Sequence, residues 1–325
     1  MGMSRPCQIR LRCKRSYAST IVLPRPGPTL LPGFIDGTRS CVATDRAAAA
    51  VSGLWSDHRL RYDLEAQFVP ELRRAAVEDP DAADFRTASQ PATIAGDETT
   101  HALLARYPDL RSQSDIDAYL AARRRDADYI KLFHEDGVSL AVETPRAIPR
   151  SAATHRDRGA RSRLSGAGTT VKVLKYFIDM LRLGVDGMSH TFCETRHLRR
   201  RHCNPTLSCL GSVTHEGHAL QQRYAQDPRI QRVLAPPVKT AFCACMGLAR
   251  PPCTVGYAYQ TVRALKAAGV DIVVESDAHI PAVGTGYGRT LHQELGLLMS
   301  ECGFTPAEAL EAATATFARR LRLGD

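Results

Sequence analysis

Residues 259–279 read YQTVRALKAAGVDIVVESDAH, and this stretch decides the fold class. Apolar and small residues recur at helical spacing up to Gly269, which stands where a left-handed glycine closes a helix. The run DIVVE (271–275), with its β-branched apolar centre, is too short for a helix and reads as a strand that ends at Ser276 and Asp277. A helix feeding a buried strand within a few residues is the repeating unit of a parallel sheet with helical crossovers.

The same grammar occurs twice more. In DIDAYLAARRRDADYIKLFHEDG (115–137) helical spacing runs into a compact strand, Tyr129 to Phe133, and a glycine turn. In VKVLKYFIDMLRLGVDGMSHTF (171–192) an amphipathic helix stops at Gly184 and a short strand carries His190 at its end. LLPGFIDGTRS (30–40) supplies another apolar strand, Leu30 to Ile35, ending in Asp36 and the turn glycine Gly37. TPAEALEAATATFARRL (305–321) is a final helix, with Thr305 as cap, Pro306 in the first turn and Glu308 completing a capping box. The expected fold is α/β, a (β/α)8 TIM-like barrel, complete or lacking some elements. Chemistry in such a barrel collects at the C-terminal ends of the strands, which singles out Lys131, His190 and Asp277.

Composition narrows the partners. With 44% hydrophobic and 24% charged residues in 325, the chain can bury a sizeable core. The net charge of +9 attracts acidic ligands. The basic run TRHLRRRH (195–202) lacks interleaved aromatics, so it reads as a solvated helix face, with no nucleic acid expected. No run of about 18 apolar residues exists, so no membrane span is expected. Ten cysteines without C-x-x-C spacing point to a reducing, cytoplasmic setting, with Cys243 and Cys245 as buried thiols. The first 35 residues hold six Lys/Arg and no Asp/Glu, which weakly favours organelle targeting, although Pro24, Pro26 and Pro28 oppose a long helix there. Residues 1–28 are expected to be a poorly ordered basic segment and 29–325 the barrel domain. Within that domain, segments 38–60 and 151–168 lack an apolar period and read as irregular. GTGYG (284–288) reads as a mobile loop over the barrel mouth, and His215 and His218 as neighbours on one helix face.

TLLPGFIDG, DADYIKLFHEDG, GVDGMSH, NPTLSCLGSVTHEGHAL, AAGVDIVVESDA and GRTLHQELGLLMSECGFTPAEALEAAT occur in this order. Together they resemble the metal-dependent amidohydrolase superfamily, in its imidazolonepropionase-like, prolidase-like and ochratoxin-amidase-like branch. The resemblance covers residues 29–37 and most of 115–325. It implies a barrel with a divalent metal, zinc, and a small β-sandwich of which this chain holds little. The implied function is hydrolysis of an amide or other non-peptide C–N bond of a small molecule. Carried over by position, Lys131 matches the carboxylated lysine, His190 a later histidine and Asp277 the aspartate that serves as ligand and as general base and acid. His134 and His279 are candidate substrate contacts.

Two parts of the implied ligand set are replaced. The H-x-H after the first strand falls on Thr38 and Ser40, and no histidine stands near Ser165 to Ala167. The remaining ligands support one metal ion at most. The alternative reading is a catalytically inactive amidohydrolase-like protein. Both replacements fall in the two patternless stretches, which also fits a coding sequence read through an intron or in a shifted frame there. The oligomeric state, including a homo-oligomer, is left open.

Overall fold

The structure is a computed structural model. It describes residues 31–40, 58–62, 69–78, 85–94, 107–134, 165–171, 187–190, 202–232, 236–249, 253–278, 283–286 and 288–321. Residues 33–325 form one compact unit, distinct from residues 1–32. The described elements begin with β1 (Ile35–Ser40), β2 (His58–Tyr62), α1 (Val69–Glu78), β3 (Phe85–Ser89), β4 (Ala92–Ile94), β5 (Asp109–Leu110), α2 (Gln113–Asp126) and β6 (Tyr129–His134). They continue with β7 (Ser165–Val171), β8 (Gly187–Ser189), β9 (His202–Asn204), α3 (Leu207–Val213), α4 (His218–Gln226), α5 (Pro228–Gln231), α6 (Pro236–Cys243), α7 (Val255–Ala267), α8 (Arg289–Cys302), α9 (Pro306–Ala312) and α10 (Ala315–Leu321).

Every described strand pairing is parallel, as the helix-to-strand grammar predicts. One sheet has the order β1-β2-β3 and the other β5-β4-β6-β7-β8-β9. The two are continuous in the chain, because β3 and β4 are separated only by Gln90 and Pro91, after a left-handed Ser89 with φ 54°. Residues 85–94 thus act as one kinked strand: β3 pairs with β2, and β4 pairs with β6. The Asp128 N–H also donates to the Thr87 carbonyl at 2.7 Å. At the other edge, Cys203 of β9 bridges in parallel to Ile272, which places the DIVVE segment beside β9. The segment is extended there but makes only this bridge, where a full strand was expected.

The helices form for local reasons. Ser112 and Asp115 close a capping box on α2, and Thr305 and Glu308 close another on α9, with Pro306 in its first turn. Gly269 takes φ 71° just past α7, as its position in sequence implies. The final helix is broken into α9 and α10. The Ala312 and Ala313 carbonyls accept from Val274 N–H and Ile35 N–H, so they turn from the helix ladder to the strands. The main core lies between the extended 271–274 segment and helices α7, α8 and α9, and includes Ile272, Val274, Leu265, Leu291, Leu298 and Ala309. A smaller cluster of Ile35, Ala88, Tyr107, Tyr129, Val273 and Phe317 occupies the opposite side of the strands.

Several expectations are corrected. β1 begins at Ile35, where the apolar strand was expected to end, because backbone pairing with His58–Tyr62 and not apolarity defines it. Strands β2 and β7 take in residues 58–60 and 165–168, which were expected to be irregular. His215 and His218 do not share a helix. α3 ends before Thr214, His215 takes φ 67°, and the rings stack at 5.3 Å across the turn. Cys243 and Cys245 are half-buried rather than buried, and the six described cysteines are free thiols.

The glycine-rich loop is pinned at its described residues. Gly284 N–H donates to Ala241 O at 2.8 Å, Gln221 Nε2 donates to Gly284 O at 2.9 Å, and Gly286 N–H donates to Thr290 Oγ1 at 2.8 Å. A Cβ on Gly284, which has φ 81°, would overlap Ser212 Oγ and Gln221 Nε2. Gly284→Ala is therefore expected to cost about 1–3 kcal/mol in urea unfolding, from overpacking on top of backbone strain. A change below about 0.5 kcal/mol would mean that the loop yields freely.

Candidate functional site

Strand alternation builds the site. On β6, Tyr129 faces the smaller cluster, and Lys131, two residues on, shares its face; Ile130 and Leu132 point the other way. On the 271–277 segment, Val273 faces the same cluster, which puts Glu275 and Asp277 on that side while Ile272 and Val274 join the main core. Lys131 is 1% exposed and Glu275 0%, so ionisable groups from two distant segments meet in a buried place.

The electrostatics follow from burial. Desolvation pulls the Lys131 ammonium below the ordinary lysine range, while Glu275 and then Asp277 oppose that shift. Desolvation pushes Glu275 well above the carboxylate range, Lys131 counters it and Asp277 adds to it. The pair Lys131 and Glu275 thus tends toward sharing one proton in a neutral arrangement.

His190 follows β8. Its N–H donates to Asn204 O at 2.7 Å, its Nδ1 lies 2.7 Å from Thr206 Oγ1, and Nδ1 is 3.9 Å from Asp277 Oδ2. The Cys209 thiol donates to the same Asp277 oxygen at 3.4 Å. Asp36 of β1 is fully buried and accepts from Ser276 N–H at 2.8 Å and Ser276 Oγ at 2.6 Å, which ties β1 to the residue before Asp277. On α8, Glu294 accepts from Leu207 N–H at 2.7 Å, Ser208 N–H at 2.8 Å and Ser208 Oγ at 3.0 Å. Burial raises Glu294 to about 7 against the lowering effect of these three donors.

The structure thus brings Lys131, His190 and Asp277 into one neighbourhood. Thr38 and Ser40 lie in β1, but their side chains, like that of His134 in β6, fall outside the described residues, as does His279 entirely. Sequence reasoning missed Glu275, Asp36, Thr206 and Cys209. The signal for Glu275 was present: a carboxylate inside an otherwise apolar strand, two positions before Asp277 and so on the same face.

Among the described residues no group of three His, Cys, Asp or Glu could hold a metal. His190 and Asp277 are donors of the right type, and a third exists only if Lys131 carries a carbamate, since an ammonium has no lone pair to give. A neutral Glu275 would lessen the repulsion that such an anion meets. The residues therefore fit one ion held with a modified Lys131. They do not fit two, because β7, SGAGTTV, contains no histidine and β1 carries Thr38 and Ser40.

No family model matches the chain, and no curated protein matches it by sequence. Solved structures match by shape. An amidohydrolase has TM-score 0.61 at 16% identity, over 91% of this chain and 75% of that one. The Aspergillus niger ochratoxinase has TM-score 0.56 at 13% identity, over 89% and 71%. A prolidase complexed with N-methylphosphonate-L-proline has TM-score 0.58 at 14% identity, over 94% and 79%. At these identities the likeness is one of fold, and the chain has an amidohydrolase-like α/β fold.

Proposed function

We propose that the chain is a hydrolase of this fold that cleaves an amide or other non-peptide C–N bond of a small molecule. The observation that carries the reading is the convergence of Lys131 within β6, His190 just past β8 and Asp277 just past the 271–276 segment, with Asp277 Oδ2 3.9 Å from His190 Nδ1. In this reading the strands close a (β/α)8 barrel. Its ring is β1, β2, the kinked β3 and β4, β6, β7, β8, β9 and the 271–276 segment, which Asp36 ties back to β1 through Ser276. The family resemblance of the motifs and the shapes of the solved structures support it.

Lys131, His190 and Asp277 would hold one divalent ion, zinc. When bound, the ion would polarise the substrate carbonyl and acidify water. Asp277 takes a proton from the attacking water as its oxygen bonds to the carbonyl carbon, then returns that proton to the nitrogen as the C–N bond breaks. His190, held by Thr206, fixes one side of the Asp277 carboxylate, and Cys209 fixes the same oxygen from another. Buried Lys131 and Glu275 keep the floor of the site dry.

Folded protein exposed to zinc and then desalted should retain about one equivalent by elemental analysis, given that a catalytic ion needs a formed site. Less than about a tenth of an equivalent, with no hydrolysis of a panel of N-acyl amino acids, would overturn the reading. Thr38, Ser40 and the absence of histidine from β7 favour a second reading, an inactive amidohydrolase-like scaffold, and the same measurement separates the two.

A further inference from the structure

We propose that Thr206 is the positioning residue that sets the ring of His190, holding it as the Nδ1–H tautomer with Nε2 unprotonated. The proposal deepens the hydrolase reading and rests on it only for what Nε2 would then do. Three observations carry it.

Thr206 Oγ1 lies 2.7 Å from His190 Nδ1, where the hydroxyl can accept its proton, and Asp277 Oδ2, an oxygen that only accepts, lies 3.9 Å from the same nitrogen, so the pair favours a proton on Nδ1. Backbone strain is concentrated at the same spot. Five described non-glycine residues have positive φ, and three of them are His190 at 69°, Thr206 at 51° and Asp277 at 46°. Such conformations persist only where the surroundings over-determine them, and they gather at functional sites. Thr206 contributes no side-chain cap to α3, the helix it precedes, so its hydroxyl is not used for that ordinary purpose. The capping work falls to Glu294, which takes the Leu207 and Ser208 N–H groups from a different helix and locks the turn that carries Thr206.

A hydrogen bond to one ring nitrogen selects which nitrogen stays bare, and loss of such an outer partner commonly costs ten- to hundredfold in metal affinity. The test is long-range ¹H–¹⁵N NMR of histidine-labelled, metal-free protein at pH 8, read beside zinc affinity. His190 should show a single Nδ1–H pattern in the native chain. Thr206→Gly removes the hydroxyl while suiting the positive φ, so it keeps the fold. It should give a mixture of tautomers and about ten- to hundredfold weaker zinc binding. Thr206→Ser should restore both. An unchanged His190 pattern in Thr206→Gly would overturn the proposal. If native protein shows the locked tautomer yet takes up no zinc, the positioning stands and the hydrolase reading falls.

Discussion

In protein free of metal and of the carbamate, Lys131→Met is expected to lose about 3–5 kcal/mol of unfolding free energy at pH 8, the cost of leaving Glu275 buried without the partner that shares its proton. Met matches the length of the aliphatic stem, so packing changes little and the electrostatic loss dominates. Glu275 is fully buried, and Asp277 adds to its burden. In the variant Glu275 can escape only by taking up a proton. Its folded pKa would then sit still further above its unfolded value, so stability is retained at low pH and lost as pH rises through the folded value. Urea unfolding of the variant should show a smaller deficit at pH 5 than at pH 8. Lys131→Met with Glu275→Gln should recover most of the loss, because a neutral pair carries no unpaired charge. The cycle also reports on the chemical state of Lys131. If the native lysine carries a carbamate, Met removes an anion instead of a cation, and the double substitution rescues nothing.

Asp36→Ala is the second large effect, expected at about 3–4 kcal/mol. Two opposed terms decide it. Removing the carboxylate leaves Ser276 N–H and its hydroxyl buried without their acceptor, and each bond to a charged group is worth about 1.5–3 kcal/mol. Against this, Asp36 adds a like charge that raises both Glu275 and Glu294, and its removal relieves that. The hydrogen-bond term wins because those bonds are at 2.6 and 2.8 Å, whereas the repulsion acts at longer range on groups that burial already holds toward the neutral form. Asp36→Asn keeps one acceptor and should fall between. A loss under about 1 kcal/mol for Asp36→Ala in urea unfolding would show that the tie between β1 and Ser276 is dispensable.

What the sequence made legible has a physical pattern. Helices with strong end signals were readable: the box at Thr305 and the glycine after α7 act within a few residues and need no partner. The strand that carries Lys131 was readable because buried parallel strands are compact apolar runs bounded by turns, and the short strand before His190 because Gly184 stops the helical pattern ahead of it. Strand β2, HRLRY, and β7, SGAGTTV, were not, since neither has an apolar period. They are strands because neighbours on both sides supply their backbone partners, a cause that lies outside the segment. The same holds at the site. Lys131, His190 and Asp277 could be named from their places in or at the ends of the expected strands. Glu275, Thr206 and Cys209 gain their meaning only from residues far away in the chain, as with Cys209 and Asp277, 68 positions apart.

The link from Asp36 to Ser276 spans 240 residues. During synthesis at roughly 5–20 residues per second, β1 must therefore wait about 10–50 s before Ser276 leaves the ribosome. Through that interval one edge of the first strand offers unpaired N–H and C=O groups to any other nascent chain. The closing contact that organises the site is thus also the step at which production of this protein is most exposed to misassembly. Slowing translation beyond Asp36 should lower its soluble yield more than slowing translation beyond Ser276.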